Sequence, residues 1–405
     1  MMKNGVFLVT VAIAILLATT DIATADDATV LPKNVFSLRL DSQFYFPIKK
    51  QFNNTGDTED IAEDLNTRLD SSVFPSLSLV EAGFGLPPGS ASLGDTDVEY
   101  KYKIQIFDFY LYYGLTDRLT IGGKFPYWNF KNEVDTGLDT TNATVGLNPG
   151  VPGGIAPLAF PGTTPATEDD IQNLLGSEYG YKKVEDWNRH GFSDLELGYR
   201  YQYYKSDNWR LAFTNTVSVP TGKTNDPDSL VDYPFGTGAW GLIVYANNDY
   251  LGLKKYGLEF DATFRYLYYF PDTEYTRVPT SVDQPIAPPE NKERVDRKIG
   301  DVFRVDLEGR YEFIEGWTFS LFYRYLQKAR NQISGDRGLD YDALQKETNE
   351  KEQQYRVGIA YSTIPLYQKK EFSVPMSVKL YYRKRFAAEN LLKSQYIGVD
   401  AVIYF

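Results

Sequence analysis

The sequence predicts an all-β chain: a 12-stranded antiparallel transmembrane β-barrel with long extracellular loops and short periplasmic turns. Three observations carry that expectation. Twelve segments alternate apolar with polar side chains, the period of a strand whose successive residues face opposite sides. The connections between them alternate long and short, as they do in outer-membrane barrels. Past residue 25 no stretch is apolar enough to cross a bilayer as a helix, so a spanning chain must close as a barrel.

Residues 1–25 read as an export signal. Lys3 supplies the positive start, Val6 to Ala18 the apolar centre, and Ala23-Thr24-Ala25 a small-residue cleavage site before Asp26. That apolar run is shorter than the roughly 20 residues of a spanning helix. The expected organisation is a signal peptide over 1–25 and a barrel over 26–405. Residues 26–34 are too short for a plug domain.

The expected strands follow in order. The first, 35–46, sets Phe36, Leu38, Leu40, Phe44 and Phe46 against Arg39, Asp41 and Gln43. The second covers 99–113, and its phase slips near Phe107 and Asp108, which reads as a bulge. The third is 119–130. The fourth, 193–204, opposes Leu195, Leu197, Tyr199 and Tyr201 to Asp194, Glu196, Arg200 and Gln202. The fifth is 209–219 and the sixth 237–247. In the seventh, 257–270, Leu258, Phe260, Phe264 and Tyr266 oppose Glu259, Asp261 and Arg265. The eighth, 302–314, alternates Phe303, Val305 and Leu307 with Arg304, Asp306, Glu308, Arg310 and Glu312. The ninth to eleventh are 317–328, 354–364 and 375–386.

The twelfth strand, 395–405, has a uniformly apolar face of Ile397, Val399, Ala401, Ile403 and Phe405. Such a face on an unpaired edge invites aggregation in water. The ending is similar to that of bacterial outer-membrane barrels, which finish on an aromatic residue. In this reading the strand pairs with 35–46 to close the sheet, with Asp400 toward the lumen. The long connections are 47–98, 131–192, 220–236, 271–301, 329–353 and 387–394. Twelve strands put both termini on the periplasmic side and all the long connections outside. Within them, 57–69 has helical spacing at Ile61, Leu65 and Leu69. Thr167 is placed to cap a short helix through Leu175. Residues 145–165 are rich in Gly and Pro and read as coil, and 278–289 as an extended loop.

Composition narrows the function. The chain has 42 Lys+Arg against 54 Asp+Glu, a net charge of -12, which disfavours nucleic acid as a partner. Aromatics reach 15%, with 32 Tyr and 25 Phe, suited to membrane interfaces. Mean hydropathy is -0.38, as alternating strands allow. With no cysteine, thiol chemistry and thiolate metal sites are excluded, and a single histidine rules out a His–His metal motif. No cofactor is implied.

The candidate motifs mostly fail on context. Gly236-Thr237-Gly238-Ala239-Trp240-Gly241 matches GxGxxG, but a strand follows where a helix is required. These glycines are better read as allowing a bend or close packing. Gly222-Lys223-Thr224 lacks the first P-loop glycine, because Val217 stands there. His190 and Ser193 are three apart at a loop–strand junction without an orienting partner, a poor base for hydrolysis.

The chemical signal lies on the expected inward face. Arg39, Asp41, Lys101, Lys103, Lys124, Arg200, Glu259, Asp261, Arg265, Arg304, Asp306, Glu308, Arg310, Arg324, Arg356, Lys379, Arg383 and Asp400 are expected to line the lumen. Arg210, Arg385, Asp194, Glu196 and Glu312 belong to the same set. They serve either as a lattice that stiffens the barrel or as a charge-lined aqueous path. Basic strands nine and eleven, with both signs on strand eight, would set a field across the lumen. Tyr110, Tyr112, Tyr113, Tyr127, Trp128, Tyr266, Tyr268, Tyr269, Phe270, Tyr381 and Tyr382 are expected mostly in interfacial girdles, with Tyr269 a candidate for the inner wall.

Three blocks carry a family resemblance. They are Tyr113-Gly114-Leu115-Thr116-Asp117-Arg118-Leu119-Thr120-Ile121 with Pro126-Tyr127, then Gly191-Phe192-Ser193-Asp194-Leu195-Glu196-Leu197-Gly198-Tyr199-Arg200-Tyr201, then Val219-Pro220-Thr221-Gly222-Lys223 with Gly236-Thr237-Gly238. Together they cover about a third of the chain, and the sequence is similar there to the outer-membrane proteins assigned to the phenol meta-degradation pathway. Ser193 stands where that group often has Gly. The resemblance implies an outer-membrane barrel with a transport role. The expected function is passive passage of small molecules, hydrophobic or aromatic ones included, in a porin-like channel. A partner-binding barrel acting through its loops and an outer-membrane hydrolase are the alternatives. The implied partners are membrane lipid and lipopolysaccharide on the outer wall, the barrel-assembly machinery at the strand ending in Phe405, and a small-molecule solute.

Overall fold

A strand inside a bilayer has no water for its N–H and C=O groups, so its sheet must close on itself. The computed structural model, which describes residues 27–281, 284 and 286–405, meets that condition with twelve strands. The expected signal peptide lies outside the described residues. The strands are β1 (Phe36–Tyr45), β2 (Ser92–Thr116), β3 (Leu119–Asp139), β4 (Leu195–Lys205), β5 (Trp209–Val219) and β6 (Gly241–Tyr250). They continue as β7 (Leu258–Tyr269), β8 (Val302–Ile314), β9 (Trp317–Lys328), β10 (Glu350–Ser362), β11 (Met376–Glu389) and β12 (Gln395–Tyr404). Each pairs antiparallel with the next, and β12 returns to β1 in unbroken register from Ser37↔Tyr404 to Tyr45↔Tyr396. The expected seam is therefore present.

The wall sorts side chains as the alternation requires. In β1, Ser37, Arg39, Asp41 and Gln43 are buried, while Phe36, Leu38, Leu40 and Phe44 are exposed on the other face. Phe109, Leu111, Leu242, Phe264, Phe303, Leu321, Leu380 and Ile397 extend that exposed apolar belt around the barrel. A continuous belt of this kind is a lipid-facing surface.

Several boundaries differ from the expectation. β2 and β3 are much longer, and no bulge occurs at Phe107 and Asp108: Val98, Tyr100, Tyr102, Ile104, Ile106, Asp108, Tyr110 and Tyr112 are all buried, in one unbroken phase. The surroundings change instead of the backbone. Below Phe107 the outer face carries Phe109 and Leu111 and meets lipid. Above it the outer face carries Gln105, Lys103, Lys101 and Glu99, and the inner face turns apolar. The paired change on β3 falls between Tyr127 and Asn129, which pair with Phe107 and Gln105. The hairpin thus leaves the bilayer at that level. At about 3.3 Å per residue it rises roughly 35 Å further.

The long connections fold into a cap on the inner face of this extension. Ile48, Ile61, Leu65, Val231, Phe235 and Leu392 pack there against Tyr100, Tyr102, Trp128 and Phe130. Residues 57–69 do not form the expected helix; a single 3-10 turn, Glu63–Leu65, lies between short strands Thr58–Asp60 and Arg68–Asp70. Residues 145–165 are not all coil, since Val145–Leu147 pairs with Ile155–Pro157. Two cap helices are α1 (Leu77–Phe84) and α2 (Glu168–Ser177), the latter begun by the expected Thr167 in a capping box with Asp170. Tyr110, Tyr112, Trp128 and Tyr381 are buried on the inner face rather than placed in girdles, Tyr269 is on the inner wall as expected, and Tyr266 and Phe270 are exposed.

At the seam Arg39 spans from β1 to Asp400 of β12 with two hydrogen bonds, Nε to Oδ1 at 2.8 Å and Nη2 to Oδ2 at 2.9 Å. Removing one partner strands a buried charge, which costs about 3–5 kcal/mol. Arg39→Leu should lower the temperature at which the folded barrel loses its fast gel migration. The double variant Arg39→Leu/Asp400→Leu should recover most of the loss. A single variant as stable as the parent would contradict the role given to this pair.

Candidate functional site

The lumen is filled with charges that meet one another. Asp306 of β8 receives Arg324 Nε at 2.6 Å and Nη2 at 3.0 Å, and lies 2.7 Å from Arg304 Nη2. Glu308 receives Arg356 at 3.0 Å and Lys379 at 2.7 Å. Arg310 lies 2.9 Å from Asp261 and 3.2 Å from Glu259. Lys124 pairs with Asp108 at 3.0 Å, and Asp41 accepts the Tyr381 hydroxyl at 2.7 Å. Arg200 donates to Thr214 Oγ1 at 2.9 Å, and Arg383 to the Tyr396 hydroxyl at 3.1 Å. Arg265 lies over the Tyr245 ring at 5.1 Å.

The cations of β9 to β11 lean onto the carboxylates of β8, so the two signs meet as neighbours. Phe322, buried among them, has Arg324, Arg356 and Arg383 within 4.4–5.2 Å of its ring. Three expected residues are not in the lumen. Lys101 and Lys103 point outward from the projecting hairpin, half exposed, and surround Glu133 at 3.2 and 2.5 Å. The hydrophobic phase misplaced them, because above the lipid boundary the wet face is the outer one. Glu312 is exposed near the β8–β9 turn, where it accepts the Gly316 N–H at 2.9 Å.

The periplasmic mouth holds a feature that sequence reasoning missed. Residues 27–31 form no domain, but they run as a strap across the lumen. Lys33 N–H donates to Asp117 at 3.0 Å, and Leu31 N–H to Thr120 Oγ1 at 2.8 Å. Further in, Ala28 N–H donates to Asp249 Oδ1 of β6, and Ala28 O accepts Gln202 of β4, both at 2.8 Å. Asp27 ends 3.6 Å from Arg200 and 3.7 Å from Arg310 of β8. The strap thus reaches from the β1 side to the facing wall. Gly114 makes room for it, since a Cβ there would stand 2.0 Å from the Pro32 carbonyl oxygen. Gly114, Asp117 and Thr120 all belong to the first family block.

The other two blocks meet at the extracellular rim of the lumen. Asp194 accepts Gly222 N–H at 3.0 Å, Thr237 N–H at 2.7 Å and the Thr237 hydroxyl at 2.9 Å. Thr221 Oγ1 accepts Leu195 N–H and donates to Ser193 O. A Cβ on Gly222 would lie 2.6 Å from Gly236 Cα, so both glycines serve close packing. His190 is exposed on the neighbouring strand Trp187–Phe192, while Ser193 is buried.

Asp194→Ala would leave those donors without their acceptor, at about 1–3 kcal/mol for each buried group. Protease cleavage within 220–240 should then accelerate while the barrel stays folded; cleavage at the parental rate would contradict the assignment. A second expectation concerns pH. In the cap, burial and the nearby charges of Glu59, Glu347 and Glu63 push the Asp64 carboxyl up to about 7, against the pull of Lys346. The open cap holds this proton only below about pH 4 and the closed cap up to about pH 7. Cap stability therefore falls as pH rises through that window. Hydrogen exchange at 58–65, corrected for intrinsic rate, should show more opening at pH 8 than at pH 5, and Asp64→Asn should remove the difference. Equal protection in the parent at both values would contradict it.

The profile of the family described as "Putative MetA-pathway of phenol degradation" matches residues 116–399, most of the chain and well beyond the three blocks. No curated protein sequence matches. Among solved structures, the chain is similar to an outer membrane channel from Pseudomonas putida F1. The identity is 14%, the TM-score 0.54, and the coverage 95% of this chain and 100% of that one. That likeness shows a shared barrel fold. A weaker likeness links it to the toluene transporter TbuX of Ralstonia pickettii, with 13% identity, a TM-score of 0.35, and 99% and 97% coverage. Matched over residues 116–399 and folded as a closed 12-stranded barrel, the chain belongs to the MetA-pathway of phenol degradation family.

Proposed function

We propose that the protein is an outer-membrane channel that passes small molecules passively, with residues 27–31 as its periplasmic gate. The observation that carries this reading is the strap itself. A peptide held by hydrogen bonds and two long ion pairs, not a folded domain, crosses the mouth. Each hydrogen bond is net modest, because water replaces it on release, and both ion pairs are long, at 3.6 and 3.7 Å. The similar Pseudomonas putida structure is an outer membrane channel, which agrees. The solute class we propose is apolar or aromatic, because the extracellular end of the path is built from an aromatic cluster, Tyr100, Tyr102, Trp128 and Phe130 of the wall with Tyr233 of the cap packed on them. A hydrolase has no support in the placement of His190 and Ser193.

A variant lacking residues 27–31 should conduct several-fold more than the parent in planar bilayers and admit toluene faster into proteoliposomes. Gly114→Val, which displaces the strap without shortening the chain, should shift both readouts the same way. Folded barrels that neither conduct nor admit solute in any of the three forms would overturn the channel reading.

A further inference from the structure

An apolar pocket opens in the cap, between the projecting hairpin and α2. Leu65, Leu69, Val73, Phe74, Val98 and Ile171 form its main walls, and the space between them is about 80 Å³, open at its mouth. An apolar cavity of about 150 Å³ takes up a whole benzene, so a pocket of this size with an open mouth is matched to a single small ring and to nothing larger. Its position is separate from the lumen lattice. Thr96 of β2 lines the pocket, twelve residues or roughly 40 Å along the strand from Asp108.

The polar groups at this pocket are already engaged with the protein. Thr96 Oγ1 has its one hydrogen between Leu65 O at 2.5 Å and Thr67 O at 3.0 Å, and accepts Thr67 N–H. The Gln172 amide is closed at both ends by the Val184 backbone, each bond 3.1 Å. Thr136 donates to Glu168 Oε2 at 3.1 Å on the exposed rim. A charged ligand would find no counter-charge inside and would meet the Glu168 carboxylate at the rim. An uncharged ring loses little by entering and removes apolar wall from water.

We propose that this pocket is a capture site for a small, uncharged, apolar molecule about the size of a substituted benzene. The inference rests on the channel reading for its biological purpose, but the binding itself does not. The test is fluorobenzene binding to the full barrel in lipid nanodiscs, followed by 19F line broadening against empty nanodiscs and competed with toluene or benzoate. The parent should broaden the signal, toluene should reverse the broadening, and benzoate should not. Val73→Trp fills the pocket and should weaken binding at least tenfold. Gly137→Leu narrows it from the rim, where a Cβ meets nothing closer than 3.3 Å, and should act in the same direction if the larger change impairs folding. Broadening no greater than in empty nanodiscs, equal competition by benzoate, or unchanged binding in both variants would overturn the proposal. Toluene uptake measured beside it separates the two readings: uptake without pocket binding removes the capture site and leaves the channel.

Discussion

Closure of the wall is the constraint on which the rest depends. Inside lipid an unpaired backbone group costs several kcal/mol, so β1 must find β12 across the whole chain. The Ser37–Tyr404 to Tyr45–Tyr396 register supplies that pairing, and the buried Arg39–Asp400 pair reinforces it from within. Once the wall closes, the alternation of each strand has two separate consequences. Apolar side chains face lipid, and the polar set is gathered into a narrow interior.

That interior would be unstable if its charges stood alone. Each buried ion must meet a partner. Strand β8 answers this by offering Asp306 and Glu308 to cations from its own and three other strands. The strap extends the same logic to the mouth. Asp27 faces Arg200 and Arg310, and the Asp249 carboxylate is shared between Ala28 N–H and Arg210. The barrel wall therefore binds its own N-terminal segment with the side chains available to line a path. Gly114, Asp117 and Thr120 were visible as a family block, and their common role is to receive the strap.

The architecture was legible because lipid imposes a clean pattern. Leu38, Leu40 and Phe44 against Arg39, Asp41 and Gln43 place β1 without ambiguity. The same rule misled at Lys101 and Lys103, where the strand continues but lipid does not. The polar face there is outside, so a reversal of hydrophobicity looked like a slip in the backbone. Tyr110 and Trp128 were hard for a related reason: an aromatic near a strand end suits a girdle or an inner wall equally well. The strap has no periodicity to read, and its partners lie on strands far along the chain. Asp194 was on the inward face as read, but its donors come from Gly222 and Thr237, which only the fold brings to it.

The central claim is that residues 27–31 close the mouth and must move for passage. The native chain has no cysteine, so one introduced pair can be read without background. Ala28→Cys/Gln202→Cys places a thiol on the strap beside one on β4, where Gln202 now bonds Ala28 O at 2.8 Å. Single-channel recording of this variant before and after reduction is the most direct measurement. Silence when oxidised and opening events when reduced are predicted. Identical conductance in the two states, with the cross-link verified, would contradict the account.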